Sequence, residues 1–292
     1  MSNSRFGLRT RTGLVRGIVE GNIAPLGLLF LDSYPGATFA YSLRKLSSSY
    51  TGNCIRVRRS SDNTEQNIGF FGDVLDTASL LSFVGANNGF VTIWYDQSGN
   101  GHNLTQLSST SQPQIVNAGS VLTLNTKPYI FSDGINDSMS TTNTFSYNDA
   151  TMIIVAAQFG IGDTSFGRFI DNDFTNGFWF GRNLSANEIN GGFLQPNPPY
   201  GNIFPYANDL QFLLYSIRVG GTTTSYLNNG APSSITTSAA LSSGGIVAIG
   251  SSNVASFFGR KYHQEYIFYT SNQVSNRGGM QSQINSFYNT YV

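Results

Sequence analysis

The sequence predicts an all-β fold of two packed sheets, and three observations predict it. Short apolar or alternating runs recur along the chain, separated by turn signals such as Asn229-Gly230 and Gly220-Gly221. Charged residues make up only 11% of the 292 residues, against roughly 25% in an average soluble domain. The wet surface is therefore built from Ser, Thr, Asn, Gln and Gly, which suits turns and strand faces better than helices. Helical periodicity is confined to a few short segments. Hydrophobic residues, at 40%, suffice for one large core.

Taken in order, "GATFAYSLRKLSSSYTG" places Phe39, Leu43 and Leu46 at helical spacing and predicts a short helix. "CIRVRRSSD" alternates Ile55 and Val57 with Arg56 and Arg58, a strand pattern. "DTASLLSFVG" opens on Asp76 as an N-cap and stops at Gly85, a second short helix. Strands are expected in "FVTIWYD", "VLTLN", "PYIFSD", "TMIIVAAQF", "GRFID", "GFWFGR", "LQFLLYSIRVG", "TTSYLNNG", "GGIVAIGS" and "RKYHQEYIFYT". Met280, Ile284, Phe287 and Tyr291 fall three or four apart, so the sequence ends in an amphipathic helix. Residues 1–30 differ from the rest: Arg5, Arg9, Arg11 and Arg16 stand among glycines, which predicts an extended arm that docks to a partner. Residues 31–292 read as one domain.

Formal net charge is zero, so no global attraction to nucleic acid is expected. The single cysteine, Cys54, excludes an intrachain disulfide and a cysteine-based zinc site. "APLGLLFL" is too short to span a membrane and lacks the layout of a signal peptide. Release by a route such as cell lysis is the expectation that follows. No metal or other cofactor is expected.

The most distinctive stretch is "VTIWYDQSGNGHNLTQ", residues 91–106. Trp94 and Asp96 share one strand side, Ile93 and Tyr95 the other. Asp96, Gln97, Ser98 and Gly99 then form a turn in which the carboxylate accepts backbone N–H groups. His102 and His263 are the only histidines; His102 has no second metal ligand at a usable spacing, and the sequence leaves open whether the two meet. Glu265, between aromatics in "KYHQEYIFYT", reads as structural.

"SLRKLSSSYTGNCIRVRRSSDNTEQNIGF" followed by "FVTIWYDQSGNGHNLTQ" resembles the opening of the catalytic domain of fungal-type α-L-arabinofuranosidases over residues 40–106. The "YDQSGNG" block, with "KPYIFSDGINDSM" after it, is also similar to concanavalin A-like or laminin G-like domains of phage structural proteins. The fold implied is a two-sheet jelly roll. A retaining glycosidase needs two carboxyl groups about 5 Å apart. The resemblance puts the nucleophile in "DFTNG", where Thr175 stands, and the acid/base in "IGSSN", where Ser252 stands. It implies that both catalytic carboxylates are replaced, with Asp171, Asp173, Glu188, Asp209 and Glu265 left for recruitment.

What remains is a sugar-binding groove: Asp173 and Asn176 at substrate-contacting positions, Trp179 and Arg182 beside them, and Tyr200 and Tyr206 in the aromatic loop "QPNPPYGNIFPYAN". The sequence thus predicts a non-enzymatic phage virion protein, a fibre, adaptor or decoration. Its arm would bind other virion proteins, its sandwich a host surface glycan, and its oligomer would be a homo-oligomer such as a trimer. Two alternatives are a working arabinofuranosidase-type glycoside hydrolase and a purely architectural decoration without a ligand.

Overall fold

The computed structural model describes residues 28–142, 145–158, 167–172, 177–183, 188–193, 202–205, 210–236, 246–253 and 255–292. The described residues are mostly β, with 45% strand and 12% helix. Ser233–Thr236, Thr222–Leu227, Phe212–Val219, Ala150–Gln158 and Arg260–Tyr269 pair antiparallel in that order. The last of these is central. Its C-terminal half also pairs with Phe39–Ser42 and its N-terminal half with Ile130–Asp133.

From Ile130–Asp133 the ladder runs through Gln114–Asn117 and Gly89–Trp94 to Leu104–Thr105 and Met139–Ser140. It continues through Ala248–Ile249, Arg168–Asp171, Phe178–Asn183, Glu188–Phe193 and Asn202–Pro205. Asn202–Pro205 returns to lie against Thr222–Leu227 and Ser233–Thr236. The result is one antiparallel sheet that nearly closes into a barrel. The all-β class holds, but among the described residues hydrogen bonding joins every strand except two small two-stranded ribbons, Phe70–Phe71 with Val74–Leu75 and Thr123–Leu124 with Lys127–Pro128, into one wrapped sheet, and the expected division into two packed sheets does not show in the pairing.

Two apolar clusters explain the patterning. Met152, Ile154 and Ala156 point into the barrel-like interior with Trp94, Phe178, Phe180, Phe193 and Phe268. Ile153 and Val155 point outward, under Phe30, Met280, Ile284 and Tyr288. Strands covered on both faces read as continuous apolar runs, and "TMIIVAAQ" is one. The C-terminal helix, Arg277–Tyr288, is the cover for that outer face. The helix Thr77–Val84 is capped by Asp76, whose side chain accepts the Ser79 N–H, and Gly85 at φ 61 ends it.

The expected helix around Phe39, Leu43 and Leu46 is instead the strand Phe39–Ser42, paired with residues 265–268. Phe39 and Tyr41 face the interior and Ala40 the outer cluster. With all four residues buried, the period of two carried no polar signal, and a chance spacing of four and three looked helical.

The strand leads into Arg44, whose guanidinium forms a bidentate pair with Glu265: Nε to Oε2 at 2.8 Å and Nη2 to Oε1 at 2.9 Å. Ser42 Oγ and Tyr288 OH also donate to Glu265 Oε2, at 2.8 and 3.2 Å. Glu265 is fully buried. Burial works against the Arg44 charge, but the adjoining carboxylate more than offsets it and raises the pKa. Removing one partner of such a pair leaves an uncompensated buried charge, at a cost of about 3–5 kcal/mol. Arg44→Ala is therefore expected to lower the unfolding free energy by about that amount, read from urea midpoints. Removing both charges in Arg44→Met with Glu265→Leu is expected to recover most of the loss.

Candidate functional site

The "YDQSG" turn is built from satisfied hydrogen bonds. Asp96 Oδ1 accepts the N–H groups of Ala40 and Ser98 at 2.8 and 2.9 Å. Its Oδ2 accepts Ser98 Oγ at 2.7 Å and the His102 N–H at 3.0 Å. Gln97 accepts the Leu46 N–H and donates to the Ser42 and Arg44 carbonyls. Gly99 and Gly101 lie at φ 89 and 77, where glycine carries no Cβ penalty. The turn welds residues 37–46 to the end of the Gly89–Trp94 strand. A groove of about 360 Å³ beside it is lined by Ser47, Tyr50, Gln97 and Ser98, whose polar atoms are committed to these and neighbouring bonds.

The two histidines do not meet. His102 packs edge-on to Phe145 at 4.9 Å. His263 lies buried between Ser132 Oγ, 2.9 Å from Nε2, and Tyr266 OH, 2.6 Å from Nδ1. Burial, with Lys261 adding to it, lowers its pKa to about 3, so the ring is neutral. Among the described residues, no three His, Cys, Asp or Glu side chains cluster as metal ligands.

The strand that runs up to "DFTNG" and the segment "IGSSN" lie side by side. Arg168–Asp171 pairs with Ala248–Ile249, and Gly250, at φ 76, turns the chain back. A Cβ at Gly250 would stand 2.7 Å from Ser132 Oγ and 2.8 Å from the Asp137 carbonyl oxygen, so both space and backbone demand glycine. After this turn, the Asn253 N–H approaches Asp171 Oδ1 at 3.5 Å, and Asn253 Nδ2 donates to the Asn172 carbonyl at 3.2 Å. Ser252 is buried, its hydroxyl 2.8 Å from that of Ser256.

Asp171 is fully buried, and its Oδ2 accepts Arg168 Nε at 2.9 Å. The Arg168 guanidinium lies over the Trp179 ring at 4.1 Å and faces the Phe257 ring at 5.0 Å. Burial lowers the Arg168 pKa, and Asp171 only partly offsets this.

Of the residues expected to bind sugar, Trp179 is 1% exposed and Arg182 fully buried, so neither offers a face to solvent. Phe178 and Phe180 are interior. Glu188 begins the strand Glu188–Phe193, pairing with Asn183 and Pro205. Asp173, Asn176, Tyr200 and Tyr206 lie outside the described residues, as do Thr175, Asp209, Arg5, Arg9, Arg11 and Arg16. Sequence reasoning missed Arg168, Asp137 and Phe257. Nothing in "GRFID" announces an i,i+3 ion pair, because the bulge that places Arg168 and Asp171 together, between Arg168 and Ile170, has no residue signature.

Asp137 closes the "SDGIND" loop beside Gly250. Asp133 Oδ1 accepts the N–H groups of Ile135, Asn136 and Asp137, and Asp137 Oδ2 accepts the Asp133 N–H at 3.1 Å. Burial and the Asp133 charge push the Asp137 carboxyl up to about 7. The folded state thus holds a proton that the unfolded chain has released above the ordinary value of 3.8. Stability from this group is present below that value and is lost as pH rises towards about 7. Asp137→Asn keeps an acceptor for the Asp133 N–H and removes the titration. Thermal unfolding between pH 4 and 8 is expected to show the decline in the parent chain and a smaller one in the variant.

Comparison with known proteins places these features. Residues 34–130 match a family profile described as the catalytic domain of α-L-arabinofuranosidase B. Two curated relatives, probable α-L-arabinofuranosidases B of Aspergillus terreus and Aspergillus flavus, are each 43% identical over 65 residues, 22% of this chain and 13% of theirs. An arabinofuranosidase crystal structure complexed with arabinofuranosyl-α-1,2-xylobiose superposes with a TM-score of 0.68 at 18% identity, over 88% of this chain and 63% of that one. A GH54 α-L-arabinofuranosidase soaked with a cyclic sulfate inhibitor gives 0.64 at 17% identity and the same coverage. The chain spans about an eighth of the curated relatives in sequence and under two thirds of these structures. These matches overturn the expected phage structural and adhesive role, the virion location and the reading as a non-enzyme, because the similarity lies with glycoside hydrolases. Over residues 34–130 the chain is similar in sequence to the arabinofuranosidase B catalytic domain, and over most of its length it shares the fold of arabinofuranosidase structures.

Proposed function

We propose that the chain is a glycoside hydrolase of the α-L-arabinofuranosidase type, releasing a terminal arabinofuranosyl group from a larger saccharide. One observation carries the reading. The strand that ends just ahead of "DFTNG" meets the "IGSSN" segment, some eighty residues on, where Asn253 contacts Asp171 and Asn172. The matching family profile supports the same reading.

The chemistry differs from that of a retaining enzyme with two free carboxyls about 5 Å apart. Thr175 and Ser252 offer hydroxyls at the aligned positions. Asp171 is tied to Arg168, which suits it to holding the loop rather than attacking a sugar. Asp173, two residues on in sequence, is the carboxylate we assign to the anomeric centre, where it would stabilise developing positive charge and orient the attacking water. Loss of a positioned acid typically costs about 10²–10⁴-fold in rate, so slow turnover is expected.

The full chain, incubated with 4-nitrophenyl α-L-arabinofuranoside, is expected to release nitrophenol above the uncatalysed rate. Asp173→Asn should abolish the release, and Ser252→Asp should raise arabinose release from arabinofuranosyl-α-1,2-xylobiose, whose sugar leaving group needs an acid. No release by the parent chain and by Ser252→Asp, or a rate untouched by Asp173→Asn, would overturn the assignment.

A further inference from the structure

The aromatic side chain that the site's loop does present to solvent is Phe257. It is 45% exposed, yet it is held in place. Its backbone adopts φ 52, with Ala255 two residues before it at φ 51. A positive φ on a bulky residue is a strained arrangement, and such strain is retained where the surroundings over-determine it. Two constraints do so here. The Phe257 carbonyl accepts the Arg168 N–H at 3.0 Å, and the Arg168 guanidinium stands 5.0 Å from the ring centre. Arg168 is itself fixed by Asp171 and by Trp179. The buried Trp179 thus supports the cation, the cation supports Phe257, and Phe257 meets the solvent.

Position decides what the ring could meet. Asn253 marks one end of the Arg168–Asp171 strand, and Phe257 bonds to the other end. Three residues of strand span about 10 Å. That distance is too long for one sugar ring to touch both ends. It suits a saccharide whose reacting ring lies past the Asn253 end and whose neighbouring rings extend along the loop towards Phe257. Ser256, partly exposed and next to Phe257 in the chain, adds a hydroxyl group beside the aromatic face. An aromatic face flanked by such a group is the chemistry that recognises a pyranose ring.

We propose that Phe257 is a stacking platform for a pyranose ring of the leaving-group saccharide, setting the preference for oligosaccharide over monosaccharide ligands. The ligand class rests on the function proposed above, but the test measures binding and needs no turnover. Calorimetric titration of the full chain uses arabinofuranosyl-α-1,2-xylobiose and free arabinose as probes. Phe257→Asn, in which Asn tolerates the positive φ, is expected to weaken trisaccharide binding by about 5- to 10-fold. Its melting temperature should be unchanged or higher, and its arabinose affinity unchanged. Phe257→Trp should retain trisaccharide binding. Equal trisaccharide affinities for the parent chain and Phe257→Asn would overturn this proposal alone. No binding of either probe by the parent chain would overturn it together with the arabinofuranosidase reading.

Discussion

The buried pair between Arg44 and Glu265 is the interaction on which the arrangement depends. Glu265 lies in the long strand Arg260–Tyr269, which pairs with three others. Charges removed from water are tolerated only when every remaining lone pair and proton finds a partner. Here Ser42, Arg44 and Tyr288 all converge on one carboxylate. Those partners come from the first strand, the segment after it and the C-terminal helix, so the ion pair sets the register between distant parts of the chain. The same junction reaches the "YDQSG" turn, because the Ser42 carbonyl accepts Gln97 Nε2 and Trp94 Nε1.

The far end of that central strand is polar as well, and this connects scaffold to site. Lys261 is fully buried, bonded to Gln158 and close to the Phe169 ring. His263 joins Ser132, whose hydroxyl also crowds Gly250. Gly250 turns the loop back onto Asp171 and Asn172. The loop over the candidate site is thus shaped from beneath by a buried strand. A change at Ser132 or Gly250 would move Asn253 and Phe257 without altering either.

Local signals were legible where one residue type had one physical reason to be present. Asp76 and Gly85 bounded a helix to the residue, because capping chemistry is local. Asp96 could be read as a turn acceptor for the same reason. Phe39–Ser42 was misread because burial on both faces erases alternation. The division into sheets was not legible, since near-closure depends on which strand ends meet and not on any strand's composition. At the site, "DFTNG" and "IGSSN" could be aligned with catalytic blocks, but the missing carboxylates then pointed away from an enzyme. The wider similarity to arabinofuranosidases corrected that step. Phe257 was hidden because exposure and a positive φ are properties of the folded loop.

The wrapping of the sheet has a consequence for how much strand edge this chain exposes. A neutral protein has little long-range repulsion to keep copies apart. Unpaired strand edges invite addition of another chain's strand. Asn202–Pro205 folds back against Thr222–Leu227 and Ser233–Thr236, which hides edge where an open sheet would show it. The strand Glu65–Ile68, paired on one side to Ile55–Arg59, carries exposed Glu, Gln and Asn. Topology here limits exposed edge in a chain with few surface charges, so a cut that opened the wrap would uncover strand edges able to pair with another chain.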